Sequence, residues 1–152
     1  MTPDDVFAAL HRAADDAHGA RLFTVTVLDH AAGVARRAYT SHPADYPVTG
    51  TKPMTSNPWS DQVIGRGESF IANETSGFAP FFADHALINA LGCESAMNIP
   101  VSDGRQVVGT VNILDAAGHF TPERAASLVD LVMAHRADLL AAFAHVPMEG
   151  TT

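Results

Sequence analysis

The residues in this chain with the most chemical potential are amides and hydroxyls set inside apolar strands. The segment LGCESAMNIPVSDGRQVVGTVNIL, residues 91–114, carries Asn98, Thr110 and Asn112 where a hydrophobic hairpin has only aliphatic side chains. A buried amide without a partner costs about 1–3 kcal/mol. Each of these groups must therefore bond to protein, to water or to a bound small molecule. The face on which they point depends on the turn. A two-residue Asp103-Gly104 turn sets Asn98 opposite Gly109. A three-residue loop, with Gly104 left-handed and a bulge, sets Asn98 opposite Thr110. A one-residue slip exchanges the faces. The second register is preferred, because it gathers Asn98, Thr110 and Asn112 on one face with Ala96 beside them as clearance. Such a face points to a pocket floor. The competing reading is mutual hydrogen bonding, or contacts to helix ends.

Further candidates flank this block. His85 opens the helix expected to cover the pocket. Its ring can donate or accept a hydrogen bond, which suits a carboxylate or amide ligand; a surface or capping histidine is the plainer reading. Phe81 and Phe82 are core or pocket wall. Tyr46, Lys52 and Trp59 come from the stretch HPADYPVTGTKPMTSNPW. Lys52 is the only lysine in an acidic protein, and Gly50 and Pro53 flank it. Folded over the sheet, this loop is a lid that turns Lys52 toward an anionic ligand; otherwise Lys52 is a solvated surface group. Trp59 reads as a packing anchor.

Catalytic and metal signatures are missing. The eight histidines show no H-x-x-x-H or H-x-H spacing, and Cys93 is the only cysteine, so metal binding is not expected. There is no G-x-S-x-G, Walker loop or dinucleotide fingerprint. The lone G-x-G of IGRGES fits a turn before a strand. A single cysteine forbids an internal disulfide, which fits a reducing, cytoplasmic setting.

The net charge is −8 over 152 residues. The arginines are scattered except for Arg36-Arg37, which fall on a strand and make no patch. Nucleic-acid binding is therefore not expected. No apolar run approaches the roughly 18 residues of a membrane span, and the acidic N-terminus lacks the pattern of a signal peptide. The length suits one domain, residues 1–146, followed by a flexible tail, 147–152.

The elements that must position these residues follow from periodicity. Thr2-Pro3-Asp4-Asp5 caps a helix that presents Val6, Phe7, Leu10, Ala14 and Ala17 on one face and stops at Gly19. Residues 21–28 alternate as a strand, and about 34–41 return as a second. Residues 42–58, rich in proline and small polar residues, form a long loop of the kind that is usually functional or disordered. A short helix over 59–65, a brief strand over 69–72 and a helix closed by Gly92 lead to the 91–114 strand pair. Thr121-Pro122-Glu123 caps a long closing helix that runs to about Ala144. Antiparallel hairpins with segregated helices indicate an α+β layer fold.

This order, with the strand SAMNIPV, the SDG turn, the strand QVVGTVNIL with its Gly109, and the helix after HFTPER, resembles the GAF domain family over about residues 4–144. The resemblance implies a PAS-related central antiparallel sheet, with terminal helices on one face and a pocket covered by helices and loops on the other. Family members bind cyclic nucleotides, bilins, haem or small metabolites. In bilin-binding members a Cys-His pair precedes the glycine that matches Gly92; this chain has Ala83 and Asp84 there, so a covalent bilin is not expected. GAF-type methionine sulfoxide reductases use several cysteines, so Cys93 alone disfavours that activity.

The expectation is a stand-alone, non-catalytic domain that reversibly binds an unknown small organic ligand, with no covalent cofactor. Its contacts are drawn from Asn98, Thr110, Asn112, His85, Tyr46, Lys52, Phe81 and Phe82. No output module fits in the remaining residues, so signalling would pass through a homodimer of the terminal helices, using surface such as Val129, Met133 and Ala137, or through a partner protein. The alternatives are a small enzyme, thiol-dependent or using Lys52 and His85, and a ligand-free interaction module.

Overall fold

A computed structural model describes residues 1–148 of the chain. The first helix, α1 (Pro3–His18), starts where sequence chemistry places it. The Thr2 hydroxyl accepts from the Asp5 amide, the Asp5 carboxylate accepts from the Thr2 amide, and Gly19 ends the helix with φ 84°. Phe7, Leu10 and Ala14 are its buried face.

The strands are β1 (Leu22–Asp29), β2 (Val34–Thr40), β3 (Lys52–Pro53), β4 (Phe70–Ala72), β5 (Ser95–Ser102) and β6 (Val107–Asp115). They form one antiparallel sheet in the order β3-β2-β1-β6-β5-β4. Alternation divides the sheet into two faces. Phe23, Val25, Val27, Met97, Ile99, Val101, Val111 and Ile113 join the core under the terminal helices. Leu22, Ala96 and Leu114 join a second apolar cluster on the other face, with Tyr46, Phe78, Ile88 and Cys93. The α+β class with terminal helices on one face is thus observed.

Three details differ from the sequence reading. The β5–β6 hairpin takes neither expected register: Asn98 pairs with Asn112, and Pro100 with Thr110. A four-residue loop replaces the shorter turns, because the Asp103 carboxylate accepts from the amides of both Arg105 (2.8 Å) and Gln106 (3.0 Å). A bulge between Val101 and Ser102 absorbs the offset. The register differs from the preferred one by two residues, so every side chain keeps its face.

The closing helix is also broken. It forms α5 (Pro122–Ala134) and α6 (Arg136–Phe143), parted at His135. His135 falls between Val132 and Leu139 on the buried stripe. Its ring Nδ1 bonds the Leu131 carbonyl (2.9 Å) and its amide turns to the Val132 carbonyl (3.0 Å), so the helix tightens for one turn. Third, the 42–58 loop is not free of structure, since Lys52 and Pro53 pair with Ala35 and Val34 as the edge strand β3.

The remaining elements are short. α2 (Pro58–Ser60) is capped by Asn57 and runs into a π-helical turn, Asp61–Gly65, closed by the Arg66 amide on the Asp61 carbonyl. α3 (Thr75–Phe78) and α4 (His85–Ala90) follow β4. Of the expected tail, residues 149–152 lie outside the described residues. The Pro147 carbonyl accepts from Arg36 Nη1 (2.7 Å), and Met148 packs on the core.

Candidate functional site

A cavity of about 460 Å³ opens on the sheet face opposite the terminal helices. Its floor comes from four strands: Thr24, Thr26 and Leu28 of β1, Ala35 and Arg37 of β2, Asn98 of β5, and Thr110, Asn112 and Leu114 of β6. They share this face because each lies an even number of residues from its neighbour on its strand. Trp59 and Ile64 form one wall. Phe81, Phe82, Ala83, Asp84 and Ile88 form another, and Tyr46 with the 52–55 segment closes the rim.

The floor is a directed hydrogen-bond chain. Trp59 Nε1 donates to Asn98 Oδ1 (3.0 Å), and Asn98 Nδ2 donates to Asn112 Oδ1 (2.8 Å). Asn112 Nδ2 donates to the hydroxyls of Thr24 (3.1 Å) and Thr26 (3.2 Å). Both readings of the polar face therefore hold together: the amides bond to each other, and they also line a cavity. Thr110 is 1% exposed and lies across from Thr26.

Arg37 sits at the cavity edge with its guanidinium 3.8 Å above the Tyr46 ring, a cation–π contact. It donates to the Pro47 carbonyl (2.9 Å) and pairs with Asp84 at 3.5 Å. Burial first, and then its hydrogen bond to Asp84, push the Tyr46 phenol well above its usual pKa, so it stays protonated. Together these contacts tie the start of the long loop to the segment before α4. The aromatic wall is braced from behind. Phe82 meets Trp59 edge-on at 6.1 Å and Phe78 at 5.4 Å.

Of the residues singled out from sequence, Asn98, Thr110, Asn112, Tyr46, Lys52, Phe81 and Phe82 all line this one cavity. Lys52 is exposed at the rim. His85 is the exception and is corrected here. Its Nδ1 turns back to the Phe82 carbonyl (2.8 Å) as a local cap, and the ring does not line the cavity. Arg37, Thr24 and Thr26 were missed. The signal was strand alternation: in VARRAYT the odd-numbered arginine faces the cavity, while Arg36 faces the helices and Pro147. Trp59 is more than an anchor, since its N–H starts the polar chain.

Cys93 is fully buried beside the cavity cluster and does not line the cavity. Burial, and then the negative charge of Asp115, push its thiol up to about 11, with Arg21 opposing. Such a thiol is a poor nucleophile at neutral pH. Among the described residues no group of His, Cys, Asp and Glu side chains could hold a metal ion. No helix there is long and apolar enough to cross a membrane.

No family model and no curated protein matches this chain. Solved structures do. The GAF domain/HD domain protein from Geobacter sulfurreducens superposes with TM-score 0.72 at 14% identity, covering 92% of this chain and 93% of that one. The GAF domain of a two-component sensor histidine kinase from Bacillus halodurans gives TM-score 0.71 at 13% identity, covering 90% and 92%. A type II free methionine-R-sulfoxide reductase from Thermoplasma acidophilum gives 0.68 at 12% identity, covering 93% and 96%. At these identities the likeness is one of fold, and it spans nearly the whole chain: this protein has the GAF fold.

Proposed function

We propose that this chain is a sensory or regulatory domain that binds a small organic ligand reversibly and performs no reaction on it. The observation that carries this reading is the cavity of about 460 Å³ with a polar, hydrogen-bonded floor and aromatic walls. Its volume falls in the range of roughly 300–1,000 Å³ usual for ligand sites, and such a mix of apolar lining and few fixed polar groups is typical of them. A sensory role accords with the GAF fold, which the sensor histidine kinase domain from Bacillus halodurans shares.

A route for the signal lies in β2. Arg37 faces the cavity while its neighbour Arg36 bonds the Thr49 carbonyl and, past the end of α6, the Pro147 carbonyl. Ligand contact at Arg37 shifts the population of loop and terminal-helix arrangements that differ in these bonds. We place the output in a homodimer through the terminal helices, where Met133 is 40% exposed, or in a partner protein. The setting is cytoplasmic, in keeping with a single free cysteine.

Native mass spectrometry of the purified full chain tests the reading. A bound organic species released on denaturation supports it. Its absence, together with no stabilisation by a broad metabolite panel, removes it. The rival, a thiol-dependent reductase, draws on the likeness to the Thermoplasma acidophilum enzyme. The buried, high-pKa Cys93 speaks against it. Methionine sulfoxide reduction that is present in the wild type and lost in Cys93→Ser would establish the rival instead.

A further inference from the structure

The hydrogen-bond chain on the cavity floor has a direction, and that direction selects ligand chemistry. An indole N–H only donates, so Trp59 fixes the Asn98 oxygen as its acceptor. The Asn98 nitrogen is thereby turned to the Asn112 oxygen, and the Asn112 nitrogen faces the hydroxyl oxygens of Thr24 and Thr26. Each of these hydroxyls accepts from Asn112, and neither donates to a protein acceptor among the described residues. Thr110, across from Thr26, makes no side-chain hydrogen bond there. Thr24 and Thr110 are 3% and 1% exposed, and both line the cavity. The chain therefore ends in hydroxyls that line the cavity and whose protons no protein acceptor among the described residues takes, so they are free to donate to a ligand.

Charge points the same way. The ionised side chains lining the cavity are Arg37, Lys52 and Asp84, two cations against one carboxylate. Asp84 is held by Arg37 and by the Tyr46 hydroxyl. The lining therefore carries one net positive charge, with Arg37 paired across the strands with Thr26 and Lys52 at the rim. Facing the donors are the apolar surfaces of Trp59, Ile64, Phe82 and Ile88.

We infer that the cavity takes a small monocarboxylate with an apolar body, its oxygens on the hydroxyls of Thr24, Thr26 and Thr110 and toward Arg37, its body against Trp59 and Phe82. The assignment rests on the cavity's being a ligand site, and it narrows that site to one class of head group.

Trp59 is the chain's only tryptophan and stands in the cavity wall, so its fluorescence reports occupancy. The full chain is titrated with phenylacetate, phenylacetamide, phenethylamine and hexanoate. A hydrogen bond to a charged acceptor contributes about 1.5–3 kcal/mol, so a carboxylate should bind at least about tenfold tighter than the matching amide. The amine should not bind. Thr110→Val keeps the shape and strand propensity but removes a donor, and should weaken carboxylate binding about tenfold; Thr26→Val serves if that variant does not fold. Amide or amine binding equal to or tighter than the acid overturns the assignment but leaves the ligand-site reading intact. So does a screen in which another class binds and no carboxylate does. Silence from every compound overturns the assignment, and the ligand-site reading falls with it only if native mass spectrometry and the broad metabolite panel are silent too.

Discussion

Trp59 and Asn98 show how a residue's meaning depends on what it meets. Trp59→Phe keeps the aromatic wall but leaves the Asn98 oxygen without its donor. The expected cost is about 1–3 kcal/mol in urea unfolding; an unchanged midpoint would mean that water replaces the indole. Cys93 gives a second prediction. Burial lifts its thiol from about 9 to about 11, so the folded state holds its proton while the unfolded state releases it. This contribution is full below pH about 9 and is lost as pH rises toward about 11. Wild type should therefore lose more stability than Cys93→Ala between pH 9 and 10, and native Cys93 should resist alkylation at pH 8. At this scale the sequence revealed the polar interruptions Asn98, Thr110 and Asn112, because a polar side chain in an apolar strand is visible without a fold. It hid Arg37, because an arginine on a strand is informative only once its face is known. It misread His85, whose partner is a carbonyl on its own turn.

The elements set which side chains can share the cavity, and their existence was more legible than their ends. Strand alternation and helix caps located α1, the β1–β2 pair and the β5–β6 pair. The loop between β5 and β6 depended on one side-chain cap. Asp103 accepts from two backbone amides, which holds its carboxyl below the usual pKa of 3.8. A depressed folded pKa contributes stability above the unfolded value and loses it as pH falls through the folded one. Exchange protection of the Arg105 and Gln106 amides should accordingly fade below pH about 3.8 in wild type and be weak at all pH in Asp103→Ala. Gly109 shows a different constraint. A Cβ there would lie 2.6 Å from Phe143 Cε2 and 2.9 Å from the Thr26 carbonyl oxygen. Gly109→Ala should destabilise by about 1–3 kcal/mol through overpacking between β6 and α6, read by thermal unfolding. A smaller loss would show that the Phe143 ring swings aside. The break at His135 was not legible, because the helical period of Val132 and Leu139 continues through it while the bond that interrupts it is made by a polar ring.

At the scale of the molecule, one sheet separates two chemistries. The terminal-helix face carries the larger apolar core, and the opposite face combines apolar packing with a polar, partly open cavity. β2 spans both, through Arg36 on one side and Arg37 on the other. Occupancy of the cavity should therefore slow amide exchange in the 42–58 loop, whose ties to β2 include Arg37 Nη1 to Pro47 and the Arg37 amide to Thr49; exchange unchanged by a saturating ligand would disconnect the loop from the site. Binding of a small organic molecule in this cavity is read by thermal unfolding of the full chain against a metabolite panel, run in parallel with Ala35→Trp, which fills the cavity from β2. At a hundredfold excess over Kd a ligand adds about 2.7 kcal/mol, or roughly 5–10 °C in Tm for a chain of this size. Wild type should show that rise and the filled variant none if the cavity is the binding site. No rise with any compound, or an equal rise in both proteins, would contradict it.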